Sequence, residues 1–180
     1  MSIVLLGSTS GSVTLQEPAV SGSTVLSLPA VTGTVLTTTS PKAGNVLQVV
    51  STSSNSQTST ASTSFVATNL TATITPTATS SKILILVSMP IYNAATSSLS
   101  ERFTIYRGTT SGTNLGNSTT GFGVWNFSGY TTAAMSYLDS PSTTSAQQYT
   151  VAISSEGGTN TVYALTLNSF GTITLLEIAG

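Results

Sequence analysis

The chain has 180 residues, of which 39% are hydrophobic and only 5% charged, and its formal net charge is −1. That charge content lies far below the roughly 25% of an ordinary globular protein. Its four cations, Lys42, Lys82, Arg102 and Arg107, are too few and too scattered to bind nucleic acid by counterion release or to hold an anionic membrane. With no Cys and no His, disulfide stapling, thiolate chemistry, the usual zinc sites and Ser-His-Asp or Cys-His catalysis are excluded.

The polar surface must therefore be Ser, Thr, Asn and Gln. Such a surface hydrogen-bonds with water but makes little long-range field, so its contacts should be nearly indifferent to salt. The first ten residues, MSIVLLGSTS, have no basic region and no long apolar run, and do not read as a secretory signal. The expectation is a chain made in a cytoplasm. It would reach an external location by another route, such as assembly into a virus particle released by lysis.

Residues 1–44 read as a β-structured arm. Gly11, Gly22, Gly33 and Gly44 recur 11 residues apart and open the similar segments GSVTLQ, GSTVLSL, GTVLTT and GNVLQVV. Two of them follow the same close, Pro18-Ala19-Val20-Ser21-Gly22 and Pro29-Ala30-Val31-Thr32-Gly33. Gly supplies the turn, β-branched residues the strand, and Pro its end. The apolar positions Val13, Leu15, Val25, Leu26, Leu28, Val35 and Leu36 are the candidates for trimer and attachment contacts. An arm of such short strands cannot bury a core alone. It is either a flexible tether or a β-arm completed by sister chains, as in an intertwined trimeric β-prism.

The head is expected over residues 45–180, after the turn-rich junction Ser40-Pro41-Lys42-Ala43-Gly44. Val46 to Val50 reads as its first strand. Ser51 to Ser64 is low in complexity and reads equally as a disordered loop or as a solvent-facing edge strand. Leu70, Ala72 and Ile74 alternate before Pro76. Then comes SKILILVSMPIY, Ser81 to Tyr92, the longest apolar run. It is too short to span a membrane and reads as the central strand. Further strands are expected over Arg102–Arg107, Ala133–Leu138, Gln148–Ile153, Val162–Leu167 and Thr172–Ile178, with Glu156 to Asn160 as a hairpin turn. No helical period is sustained. The fold class is all-β, a sandwich or jelly roll.

The chemistry is sparse. The five acids are Glu17, Glu101, Asp139, Glu156 and Glu177, and none is paired by spacing as a glycosidase requires. There is no phosphate loop, dinucleotide fingerprint or calcium loop. No enzymatic activity, metal or cofactor is expected. Glu177 shares a strand face with Ile173 and Leu175. It either finds a cation among Lys82, Arg102 and Arg107 or sits at a solvated strand end. Gly121 to Tyr130 is rich in aromatics. Trp125, Asn126 and Tyr130 could stack on and hydrogen-bond to a sugar, or Phe122, Trp125 and Phe127 could pack inside the sandwich or at a trimer axis.

Several stretches carry a family resemblance. GSTSGSVTLQEPAVSGSTVLSLPAVTGTVLTT resembles a segment of fibre-like proteins of tailed bacteriophages. LTATITP, SKILILVSMPIY, YLDSPSTTSAQQYTVAIS and the terminal ITLLEIAG resemble the β-sandwich knobs of the same proteins. The resemblance implies a tumour-necrosis-factor-like or related jelly roll, homotrimeric, on the outside of a virion. With the repeat so near the first Met, the arm is expected to do the attaching. That favours a capsid decoration or cement protein whose partners are its own copies and a major capsid protein or another virion protein. The alternative is a short tail fibre or tail-tip knob that contacts host surface glycans.

Overall fold

The computed structural model describes residues 2–6, 9–16, 41–93, 100–126 and 128–180, and every regular element among them is a β-strand. The chain divides into two compact units, Met1–Val35 and Leu36–Gly180. In the first, β1 (Ser2–Leu6) and β2 (Ser12–Gln16) pair antiparallel, with Ser2 opposite Gln16. β2 is the first segment of the glycine repeat and carries Val13 and Leu15. Val25, Leu26, Leu28, Val35 and Leu36 lie outside the described residues.

The second unit contains β3 (Val46–Ser54), β4 (Thr58–Thr60), β5 (Val66–Ile74), β6 (Lys82–Asn93), β7 (Glu101–Arg107) and β8 (Thr113–Asn114). It continues with β9 (Gly123–Trp125), β10 (Gly129–Asp139), β11 (Gln147–Ser155), β12 (Val162–Ala164) and β13 (Gly171–Ile178). One antiparallel sheet runs β3-β13-β6-β10, with β12 and β4 extending the β13 side at its far end. The other runs β5-β11-β7, with β8 and β9 on the outer edge of β7. Taking β8 and β9 as one strand position and setting aside β4 and β12, eight positions follow in chain order. One sheet then reads first, eighth, third, sixth, and the other second, seventh, fourth, fifth. That is the double Greek key of a jelly roll.

Pleat parity builds the core. Side chains alternate along a strand, so Ile83, Ile85, Val87, Met89 and Ile91 of β6 all point inward and are buried. Ala133 and Met135 of β10, Ile173 and Leu175 of β13, Leu70, Ala72 and Ile74 of β5, Phe103 and Ile105 of β7, and Tyr149, Val151 and Ile153 of β11 meet them. SKILILVSMPIY is thus the central strand of its sheet, as its composition predicts. Where β11 bulges against β5 between Thr150 and Ala152, the Val151 carbonyl accepts a hydrogen bond from the Thr68 hydroxyl at 2.9 Å. Gly121 lets the loop after β8 approach β7, since its φ is +64° and a Cβ there would meet the Phe103 carbonyl oxygen at 2.0 Å.

One open alternative is decided and one expectation changes. Ser51–Ser54 ends β3 and Thr58–Thr60 forms β4, so the low-complexity stretch contributes a strand at the sheet edge beside β12. Glu156 to Asn160 is not a hairpin turn. It links β11 in one sheet to β12 in the other, so it crosses between layers. A Gly-Gly turn has the same local chemistry either way, and only the pairing of its flanking strands separates the two.

One polar clasp ties the layers together. Asp139, at the end of β10, faces Arg107 of β7, with Nε to Oδ2 at 2.9 Å and Nη2 donating to Oδ1 at 3.0 Å. The buried Tyr149 hydroxyl of β11 donates to Asp139 Oδ2 at 2.7 Å. Burial, then the hydrogen bond to Asp139 and its negative charge, push the Tyr149 phenol well above its ordinary value, against a smaller opposing effect of Arg107. Asp139 is 4% exposed, so removing it strands a buried phenol and a partly buried guanidinium. Asp139→Ala is expected to destabilise the head by about 3 kcal/mol, read by urea denaturation. Tyr149→Phe, which leaves the ion pair intact, should cost about 1 kcal/mol.

Candidate functional site

The outward face of the β3-β13-β6-β10 sheet exposes several large apolar side chains to water. Parity that sends Ile83 to Ile91 inward sends Leu84, Leu86, Ser88, Pro90 and Tyr92 outward. Register brings Leu176 beside Leu84 and Val49 beside Leu176. On the other side it sets Leu138 beside Leu84 and Ser136 beside Leu86. Val49, Leu86 and Leu138 are 58%, 42% and 49% exposed. Ile178 and Val46 extend this apolar band toward the end where residues 41–45 enter the head. The charged residue on this face is Lys82, at that same end.

Midway along the face the side chains shrink. Ser88, Ala134, Ser136, Thr172 and Thr174 line a shallow trough of about 340 Å³ with Leu86 at its lower edge. Beyond the trough, at the end far from the chain entry, three tyrosines stand side by side on adjacent strands. Tyr92 of β6 is in register with Tyr130 of β10 and with Tyr163 of β12. The Tyr92 and Tyr130 rings stack with centroids 4.4 Å apart, and Tyr92 and Tyr163 lie at 5.6 Å.

The expected sugar-contact residues are therefore divided. Tyr130 is on this face and 60% exposed. Trp125 belongs to β9 in the other sheet, where it is 37% exposed and its ring meets Phe103 edge-on with centroids 6.0 Å apart. Asn126 follows it and is exposed. Phe122 packs against the core and meets Tyr137 edge-on, while Phe127 lies outside the described residues. Tyr92 and Tyr163 are the partners that sequence reasoning missed. Tyr92 shares outward parity with Leu84 and Leu86 and was open to discovery. Tyr163 was not, because only register places it beside Tyr92.

The two ends of the sandwich treat a buried acid in opposite ways. Glu177 points inward near the chain entry, and among the described residues no cation pairs with it, nor does bulk solvent reach it. Gln48 Nε2 donates to it at 2.6 Å, the Thr77 amide and hydroxyl at 2.7 Å each, and the Ser81 hydroxyl at 2.6 Å. Burial pushes the Glu177 carboxyl up, but the hydrogen bonds from Ser81, Gln48 and Thr77 outweigh it and hold it below its usual value. Arg107 is instead committed to Asp139, and Arg102 lies 3.6 Å from the half-exposed Glu156. At the far end Glu101 is also fully buried, opposite Ser155 on β11, and both its oxygens lack a partner among the described residues. Burial pushes its carboxyl up to about 9.

No protein-family model and no curated protein matches this chain. Among solved structures it is similar to the VP2 subviral particle of infectious bursal disease virus. That match has 14% identity and a TM-score of 0.46, over 74% of this chain and 33% of that one. The structure of the Gx strain of the same virus matches at 13% identity and TM-score 0.42, over 94% of this chain and 44% of that one. The T13 particle matches at 12% and 0.41, over 94% and 42%. The chain spans less than half the length of each. Likeness of that order carries no function across, so the role of this chain rests on its own surfaces.

Glu101 makes the head pH-sensitive. Its unfolded value is near 4.5 and its folded value about 9. Between them the folded state holds one proton more than the unfolded state, so stability is full below about pH 4.5 and declines as pH rises toward 9. The slope should approach 1.4 kcal/mol per pH unit at most. Glu101→Gln keeps the shape and removes the proton. It is expected to flatten unfolding free energy measured between pH 5 and pH 8, and to stabilise the head most at the upper end. An unchanged slope would show that Glu101 ionises freely.

Proposed function

We propose that this protein is a bacteriophage virion structural protein, a homotrimer on the particle exterior. Within that class it acts as a capsid decoration or cement protein, held to the capsid through its N-terminal arm. The observation that carries this reading is the apolar band of Val46, Val49, Leu84, Leu86, Leu138, Leu176 and Ile178 across all four long strands of one sheet. A band of that breadth in water favours a covering partner. A second copy of the chain is the partner that fits. With a net charge of −1 and 5% charged residues, identical copies meet without repulsion, and Lys82 stands at the rim of the band. Three copies arranged about one axis turn all three bands away from water and close the assembly.

The arm fits the same reading. Its segments are too short and too poor in large side chains to be stable singly, so they gain order by pairing with sister chains or with a capsid surface. Many copies, each adding modest apolar and backbone contacts, reinforce a particle more than any single contact does. We assign no catalytic role. Asp139 and Glu177 are consumed by structural partners, and Glu101 is sealed in the core. A second reading, a short tail fibre or tail-tip knob, is favoured by the tyrosine row, with Tyr130 60% exposed, at the end of the head away from the chain entry.

Sedimentation equilibrium of the intact chain is expected to give a trimer. The double variant Leu86→Lys, Leu176→Lys should give folded monomers, since both side chains point away from the core. A persistent trimer in that variant would move the interface elsewhere. Removal of residues 1–40 is expected to leave a folded head that no longer binds the particle. Hundreds of copies per virion, with normal adsorption of a deletion phage and reduced capsid heat stability, separate decoration from a tail fibre, for which a handful of copies and lost adsorption are expected.

A further inference from the structure

We infer that the tyrosine end of the outer sheet face is a binding site for a neutral carbohydrate, with one pyranose ring seated between Tyr130 and the loop after β12. The site has two parts. The first is the row Tyr163-Tyr92-Tyr130, which lays three rings across three neighbouring strands. Tyr92 and Tyr130 are near-parallel, at an interplanar angle of 26°. With centroids 4.4 Å apart the two rings stack face to face, which braces Tyr130 while leaving it 60% exposed. The second is a pocket of about 250 Å³ one rung along, lined by Pro90, Tyr130, Thr132, Thr166, Leu167 and Ser169 among others. Tyr130 belongs to both parts, so row and pocket are continuous.

The wall of this pocket is held in place. The buried Leu165 anchors the loop, and its amide donates to the Pro90 carbonyl at 2.8 Å. The Ser169 amide closes a turn on the Thr166 carbonyl at 2.9 Å. Leu165, Leu167 and Asn168 all have φ between 54° and 59°, a conformation that costs free energy at each non-glycine residue. The fold maintains the loop there despite that cost, and Leu167 remains 69% exposed over the pocket.

Chemistry selects the occupant. Among the described residues no side chain of the tyrosine row or of the pocket lining is charged, so a phosphate, a sialic acid or an acidic peptide would find no counter-charge there. What the site offers is the exposed Tyr130 ring and the Leu167 side chain beside the hydroxyls of Thr132 and Ser169. A pyranose presents the complement, a face of C–H groups and a rim of hydroxyls. The ring and Leu167 exclude water from the one while Thr and Ser exchange hydrogen bonds with the other. The inference stands on the head alone, and holds whether the protein decorates a capsid or tips a tail.

The test uses the full-length protein against an array of neutral oligosaccharides covering gluco-, galacto-, manno- and N-acetylhexosamine units, followed by titration of the strongest binder by NMR. Binding is expected, and it should be unchanged between 0.05 and 0.5 M salt, concentrations spanning roughly an order of magnitude. Tyr130→Ala should weaken it by about tenfold or more, and the double variant Thr132→Val, Ser169→Ala should weaken it while leaving the rings in place. Trp125→Ala, on the other sheet, should leave it unchanged. Sedimentation of each variant shows whether the assembly persists. Absence of binding to every oligosaccharide overturns the inference, as does binding untouched by Tyr130→Ala. If Tyr130→Ala dissociates the oligomer and no sugar binds, the tyrosine row belongs to a contact between copies. A site that binds a proline-rich peptide in place of the sugars would likewise reject carbohydrate as its ligand.

Discussion

The head depends on the hydrogen bonding of β6 on both of its edges. β10 pairs with it from Ile83 to Asn93, while β13 takes the opposite edge over Lys82–Ser88 and β12 over Ile91–Asn93. A strand so placed has no free backbone groups to satisfy, so its side chains alone decide what lies on each face. Inward, Ile83 to Ile91 fill the sandwich. Outward, Leu84, Leu86, Pro90 and Tyr92 give the sheet a second apolar surface. Most antiparallel sheets hide one face and wet the other, and here both faces of the central strand are apolar. The proposed trimer and the proposed carbohydrate site both derive from that single departure. They occupy opposite ends of the outer face, with the small-residue trough of Ser88, Ala134 and Ser136 between them.

With so few charges, each ionisable side chain has a distinct environment. Asp139 joins the two layers through Arg107 and Tyr149. Glu177 is held in its charged form by hydrogen bonds, because four donors converge on it from β3 and the segment between β5 and β6. Glu101 has no such donors among the described residues, and burial favours its protonated form instead. The same residue type therefore reports two different solutions to burial, hydrogen bonding of the charged form and its removal.

Much of the architecture was legible in the residues. The run from Ile83 to Val87, uninterrupted and rich in β-branched residues, reads as a strand buried on at least one face and flanked by others. The alternation in the last strand correctly placed Ile173, Leu175 and Glu177 together and Thr172, Thr174 and Leu176 opposite. The aromatic segment was harder. Gly121 to Tyr130 reads as one candidate patch, yet Phe122 turns into the core, Trp125 joins one sheet and Tyr130 the other. Neighbours in sequence part company wherever a jelly roll changes layer, and the change between β9 and β10 falls inside that segment.

The amino-acid order by itself determined that this chain is all-β, that Lys82 to Tyr92 is central, and that few ionisable groups are available for chemistry. These follow from composition and from a backbone period of two, which are local properties. The tertiary structure alone decided that Asp139 meets Arg107, that Glu177 needs no cation, and that Tyr92, Tyr130 and Tyr163 form one row. Those residues are brought together by strand register, and register is set by which distant strands share hydrogen bonds and bury the same core face. No short window of sequence contains that information.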